Sequence, residues 1–345
     1  MSLMKYLVRL LIVALMVVFV FAERLIPSDP QAGEIVSLSQ IIESPMPHKI
    51  AEVAMESKVV RATVYQSNLP YKVGDMVIVS HDPQFEDLYS VTDKVRTLAL
   101  YRLFILFVVA IVAVSGIAGV RSLFGLAFSF AVIFMYVLPQ IVGGSNPVSV
   151  ALIASAMILL VSYYLTHGLS HKSTIAILGT LGALFVTGIL ASLFGSWAGL
   201  TGFGAEETGF LLDKFPVERF YNLLLAGIII GSLGVLDDIT ISQASIVSEL
   251  ADSNPKLGMR DLYLRAMRIG HDHISSLVNT LVLVYAGSSL PLLLLFVTSR
   301  ATPFELLNYE AMAEEIVRTL AGSIGLITAV PLTTLIASYW YSKKR

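Results

Sequence analysis

The feature that most constrains this chain is the spacing of its charges. Residues 103–120, 122–171, 173–205, 220–236, 273–299 and 319–342 contain no Asp, Glu, Lys or Arg. A charge at mid-bilayer costs roughly 2.5–3.5 kcal/mol on insertion scales, and about 20 apolar residues cross the hydrocarbon, so these intervals read as membrane spans. The second interval is long enough for two helices, split at Gly143-Gly144-Ser145-Asn146-Pro147. Seven helices are therefore expected after residue 97.

At the N-terminus, Lys5 and Arg9 precede a 13-residue uncharged run, Leu10–Ala22. That is the length of a signal-peptide core, and Val20-Phe21-Ala22 offers a cleavage site. An uncleaved signal anchor is the preferred reading, which makes eight spans. Residues 23–97 differ from the rest: they hold 18 of the chain's 48 charged side chains. Within them Val59–Tyr65 and Met76–Ser80 alternate as strands do, joined by a connection containing Asn68-Leu69-Pro70 and Gly74-Asp75.

The predicted fold is thus an all-α polytopic membrane protein of about eight transmembrane helices. It has three parts: an anchor over residues 1–22, a small extracytoplasmic β-rich domain over 23–97, and a seven-helix membrane domain over 98–345 with a cytoplasmic segment at 237–273. With Lys5 and Arg9 inside, the inner connections carry eleven Lys and Arg, against five at the outer ends. This bias places both termini in the cytoplasm. Tyr339, Trp340 and Tyr341 then anchor the inner end of the last helix.

The first partner implied is the lipid bilayer. Near-neutral charge, 23 basic against 25 acidic residues, excludes a nucleic-acid partner, which needs a concentrated basic patch. The absence of cysteine excludes disulfides, thiolate metal sites and thiol nucleophiles. No nucleophile elbow, phosphate-binding glycine loop or zincin helix is present, so no cofactor is implied and an enzyme is not expected. General acid and base work by paired acids on a lipid-linked substrate is the enzymatic alternative.

Polar residues beside the lipid are the candidates for function, because each needs a partner or water. Gly227, Gly231 and Gly234 form a small-residue face suited to close helix approach, and lead to the adjacent acids Asp237 and Asp238. Neighbouring carboxylates resist joint ionisation, so this pair is suited to a proton or a hard cation; the alternative is a solvated cap where one helix ends and the next begins. Asn279, followed by Thr280, lies within an uncharged interval, where its amide must bond to another helix or to a ligand. Pro331 frees a backbone carbonyl in the last span. His167, His171, His271, Asp272 and His273 share the cytoplasmic face with the two acids, a mixture suited to zinc or manganese if the helices converge.

Several stretches, taken in order, resemble the YibE/F-like family of bacterial membrane proteins. They are Tyr164-Leu165-Thr166-His167-Gly168, Gly179-Thr180-Leu181-Gly182, Gly227 through Asp237, Asn279 through Pro291, and Gly322-Ser323-Ile324-Gly325 with Pro331-Leu332-Thr333. The resemblance implies a multi-pass protein of the bacterial cell membrane, of permease type. Asp237 and Asn279 belong to the family's pattern, whereas Asp238 and His171 are less typical of it. The expected function is transport of a small solute or ion, with Asp237 and Asp238 as its cation or proton site. The alternative is a non-transporting envelope scaffold or accessory subunit whose ectodomain binds a protein partner. Homo-oligomers through glycine-rich faces fit either reading.

Overall fold

The computed structural model describes residues 2–20, 29, 31–39, 42–43, 47–56, 58–65, 70–81, 88–300 and 302–343. Phe21-Ala22 of the expected cleavage site, Asn68-Leu69 of the inter-strand connection and Lys344-Arg345 lie outside the described residues. The chain divides into two compact units, Met1–Val120 and Arg121–Arg345.

The first unit begins with helix α1 (Ser2–Val20) and continues through six strands: β1 (Ala32–Leu38), β2 (Ile42–Glu43), β3 (Pro47–Met55), β4 (Val59–Val64), β5 (Met76–His81) and β6 (Tyr89–Lys94). The two strands expected from alternation are β4 and β5. The sheet order is β1-β5-β6-β4-β3-β2, and β1 also pairs with β3, closing five strands into a small barrel. β4 and β6 run parallel, whereas the other described pairs are antiparallel. Alternate residues point inward, so Ile35, Val53, Val60, Val64 and Val77 fill the interior. Gly33 is obligatory there, because a Cβ would meet Val53 Cγ1 at 2.5 Å. Helix α2 (Thr97–Val132) follows, and its Ile105 and Val109 pack with Ile12, Leu15 and Phe19 of α1.

Helix α2 runs on through a π-helical turn (Ile133–Val137) into α3 (Leu138–Val142). Pro139 explains the widened turn: it lacks an N–H, and its ring excludes the carbonyl four residues back. The second unit then holds α4 (Pro147–His167), α5 (His171–Trp197), α6 (Glu206–Gly209), α7 (Glu218–Ser253), α8 (Met259–Ser288), α9 (Leu290–Thr298), α10 (Pro303–Asn308) and α11 (Glu310–Lys343). The turn expected at residues 143–147 is present, and the Asn146 side chain caps α4 by accepting from Val148 and Ser149 N–H. Helices α5, α7 and α11 pack on one another, α4 lies on α7, and α8 on α11.

Five described helical runs are long and apolar enough to cross a membrane: Thr97–Val142, Pro147–His167, His171–Trp197, Glu218–Ser253 and Glu310–Lys343. A sixth results if α8 and α9, bent by 59°, form one broken span. The first run has 46 residues, about 69 Å at 1.5 Å per residue, more than twice the hydrocarbon thickness. The sequence places a connection at Arg121. The structure instead interrupts this run at Gly116, with φ 58° and ψ −131°, and carries Arg121 inside the helix. Glycine alone adopts that conformation cheaply, which is why the break falls there.

Two further expectations change. A cap at Asp237-Asp238 requires a helix end, but α7 continues unbroken to Ser253 and both acids lie in its middle. Gly227, Gly231 and Gly234 pack against nothing: a Cβ at any of them would meet no atom within 4 Å. The buried face of α7 is formed by Ile228, Ile229, Ser232, Leu233 and Leu236, and the glycines fall on the opposite arc of a 3.6-residue repeat. Close approach occurs elsewhere. A Cβ on Gly325 of α11 would overlap Thr187 Oγ1 of α5, and one on Gly179 of α5 would overlap Thr333 Oγ1 of α11.

Candidate functional site

Three polar clusters lie within the second unit, and their hydrogen bonding separates structural roles from a site. The first surrounds Tyr163 of α4. Its hydroxyl donates to the Asp237 main-chain carbonyl at 2.9 Å and lies 2.7 Å from Thr240 Oγ1 and 3.1 Å from Thr180 Oγ1. All three hydroxyl-bearing residues are buried. Three protons are shared among the hydroxyls and the carbonyls of Ala176 and Asp237, so this knot is satisfied internally and ties α4, α5 and α7 together. The second cluster is Gln243, fully buried, whose Nε2 donates to the Ala266 carbonyl at 3.1 Å and to Thr334 Oγ1 at 2.8 Å. It locks α7 to α8 and α11, and Gly270 leaves the space its amide occupies.

Around these clusters, Asp237 is half-buried and Asp238 exposed. Asp238, on α7, lies within electrostatic reach of His167 at the end of α4. Asn279 and Thr280 are exposed on α8; Thr280 Oγ1 donates to its own helix at Ser276, and Asn279 has no hydrogen-bond partner among the described residues. The expectation that Asn279 bonds across helices within this chain is therefore not met. The five candidate metal ligands do not converge. The His171 ring lies tilted against Trp340, centroids 5.2 Å apart, His271 and Asp272 are exposed, and His273 is half-buried with its Nδ1 unpartnered among the described residues. Among the described residues, no three His, Cys, Asp or Glu side chains are placed to hold a metal. Pro331 does not break α11, which runs through it.

The third cluster borders the interruption between α8 and α9. Pro291 ends α8, because its ring would clash with the Gly287 carbonyl and it has no N–H to donate there. The chain turns at Ser289 and resumes at an angle of 59°. Beside this break is a cavity of about 570 Å³, with Glu207, Glu314, Glu315 and Arg318 among its walls. Glu314 is buried to 5% exposure, and its Oε1 accepts the Gly204 N–H at 2.9 Å; its Oε2 has no hydrogen bond among the described residues. Arg318 pairs with Glu315 at 3.4 Å, which leaves Glu315 Oε1 and Arg318 Nε buried without partners.

Local structure explains how these groups are held. The segment Gly202-Phe203-Gly204 lies flat against the bundle. Gly202, at φ +88°, passes so close to the Phe220 carbonyl that a Cβ would sit 2.3 Å from its oxygen, and the Phe203 ring packs on Phe220 at 4.5 Å. Glu310 accepts from both the N–H and the hydroxyl of Thr201 at 2.6 Å, fastening the same loop to the first turn of α11. Tyr309 meets Phe296 edge to face at 5.2 Å, which holds α9 beside the cavity.

A second cavity of about 290 Å³ shares Ser289 and Glu315 with the first, and is otherwise walled mainly by apolar side chains such as Val282, Leu293, Met312 and Leu320. Asp237, Asp238, Asn279 and Thr280 line neither. A third hollow of about 650 Å³ between α4, α5 and α7 has no charged residue in its wall. Among the cavities described, the one at the break combines volume, several charged side chains and a buried carboxylate, the combination that marks a binding site. Glu314, Glu315 and Arg318 were not among the residues singled out from sequence. Their signal was the Glu310, Glu314, Arg318 spacing of four residues just before an uncharged interval, and Pro291 after a Ser-Ser pair.

The family model described as YibE/F-like protein matches residues 103–343. No curated protein matches the chain. No solved structure matches it.

Proposed function

Because this chain belongs to the YibE/F-like family, whose match takes in every wall residue of the cavity at the α8–α9 break, we propose that it is a permease for a small solute or ion. The observation that carries this reading is a pair of apolar helices bent by 59° at a break beside a cavity that contains a buried carboxylate. Interrupted spans recur where transporters hold their substrates, because unwound backbone at membrane depth is tolerated where it lines a cavity. Asp237, half-buried in the middle of α7, is the proposed site of a coupling proton or cation, with Asp238 next to it in the chain and His167 within electrostatic reach of Asp238.

In this reading the chain crosses the bacterial cell membrane eight times, with α1 and the two sides of Gly116 counted separately. Both termini are cytoplasmic and the barrel lies outside, as the distribution of Lys and Arg favours. The test is flux into proteoliposomes containing the full chain, screened over ions and small metabolites. Glu314→Gln should lower flux by about tenfold or more, as expected for losing a charge-assisted contact, and Asp237→Asn should abolish its dependence on a proton gradient. Absence of flux above protein-free vesicles for every solute would overturn the reading. A second reading, an accessory subunit of an envelope complex, draws on the open glycine face of α7, and predicts a co-purifying partner that Gly231→Leu releases.

A further inference from the structure

We propose that the cavity at the α8–α9 break binds an organic ammonium carrying an apolar body. This deepens the permease reading, since it names the occupant of that same cavity. The wall residues carry three carboxylates, Glu207, Glu314 and Glu315, against one guanidinium, Arg318, which is already paired with Glu315. The surplus is negative, and its deepest member is Glu314. A carboxylate removed from water needs a proton, a cation or several hydrogen bonds, and the Gly204 N–H supplies only one.

Glu314 Oε2, on the cavity wall and without a hydrogen bond among the described residues, is the acceptor left for a cationic donor. A bare metal ion does not fit: no described trio of His, Asp or Glu can hold one, and the volume far exceeds an ion. The apolar cavity that shares Ser289 and Glu315 gives the ligand its second requirement. An ammonium lying between Glu314 and Glu315 would direct an attached apolar group toward Val282, Leu293, Met312 and Leu320. Tyr309 also lines the first cavity and places an aromatic ring on its wall.

The experiment measures binding of phenethylammonium to the purified full chain in detergent, beside its neutral analogue 2-phenylethanol, its anionic analogue phenylacetate, and sodium or potassium alone as competitors. Phenethylammonium should bind about tenfold or more tightly than the alcohol, phenylacetate should not bind, and the alkali cations should not compete. Glu314→Gln, which retains an acceptor for Gly204, should erase the preference for ammonium over alcohol. Tyr309→Ala, at a half-exposed ring, should weaken ammonium binding with less risk to folding.

Equal binding of the alcohol or of phenylacetate by the unsubstituted chain would overturn the proposal, as would displacement by sodium or potassium alone. The same preparation in proteoliposomes separates the two readings. Binding with the predicted preference but no uptake supports the ligand class and removes the permease. Uptake of phenylacetate that Glu314→Gln abolishes keeps the permease and overturns the ligand class.

Discussion

The main-chain N–H of Gly204 donates to the carboxylate of Glu314 at 2.9 Å, joining residues 110 positions apart in the chain. The contact depends on the absence of a side chain. A Cβ at position 204 would lie 2.6 Å from both Cδ and Oε2 of Glu314 and 2.8 Å from the Ala311 Cα. Because backbone as well as side chain stands in the way, Gly204→Ala must displace the loop from α11. It should cost about 1–3 kcal/mol, the range for inserting a methyl into packed space. The check is thermal or denaturant unfolding of the full chain in detergent, together with phenethylammonium affinity, which should fall as the loop moves. Unchanged stability and affinity would mean that Gly204 does not set the cavity wall.

The Tyr163 knot and Thr333 make opposite predictions about buried hydroxyls. Tyr163→Phe removes a donor to the Asp237 carbonyl and a partner for Thr240, and should cost about 0.5–1.5 kcal/mol, the usual net value of one hydrogen bond. Thr333 Oγ1 is buried with no partner among the described residues, packed where α11 meets Gly179. Thr333→Val keeps its shape and removes an unsatisfied polar atom, so stability should be unchanged or rise by up to about 1 kcal/mol. Unfolding midpoints of the two variants in the same detergent test both signs at once. A loss at Thr333→Val as large as at Tyr163→Phe would show that its hydroxyl has a partner, such as water.

In the barrel, Asp75 accepts hydrogen bonds from Lys94 Nζ and from the Lys72 N–H, and Lys94 also donates to the Pro70 carbonyl. The Lys94 hydrogen bond, followed by the Lys72 N–H, holds the Asp75 carboxyl below its usual value. The folded-state value is therefore lower than the unfolded one of about 3.9, and the clasp's contribution is fully present above that pH. It is lost as the pH falls through the depressed value. Hydrogen-exchange protection of the β5 and β6 amides should fall on acidification below about pH 4, and Asp75→Asn should flatten that part of the profile. A profile identical in the variant would assign the acid sensitivity to other groups.

How much of this was legible in the sequence follows from what a charge-free interval measures. It reports where lipid exposure is affordable, so the apolar helical runs and the turn at Asn146-Pro147 were readable. It does not report where a helix ends. Asp237 and Asp238 close an uncharged interval, yet α7 passes through them, because two acids on one side of a long helix need only half-burial or water and not a cap. Barrel closure by β1 on β3 was hidden for a different reason: it depends on non-local register, which alternation within each strand does not encode. Glu314 flanks an apolar interval, a position at which a charge reads as the solvated end of a span. Its burial comes from the Gly202–Gly204 loop, more than 100 residues away in sequence.

The glycines give the sharpest test of what local pattern misses. Gly227-Ile228-Ile229-Ile230-Gly231 has the spacing of a close helix contact, and Gly322-Ser323-Ile324-Gly325 offers a less regular one. In the fold the second is the tight crossing. A Cβ on Gly325 would overlap Thr187 Oγ1 and stand 3.2 Å from Thr187 Cβ, with Thr187 itself fully buried and unable to swing aside. Gly325→Ala should therefore force α5 and α11 apart and cost about 2–3 kcal/mol or prevent folding. Gly231 meets nothing within 4 Å, and the intrinsic preference of a helix for alanine should make Gly231→Ala neutral or stabilising by about 0.5–1 kcal/mol. Paired unfolding measurements decide between the faces. A large loss at Gly231→Ala with little at Gly325→Ala would mean that the exposed face is covered in the membrane by a second copy or another protein, and that its glycine spacing is a contact after all.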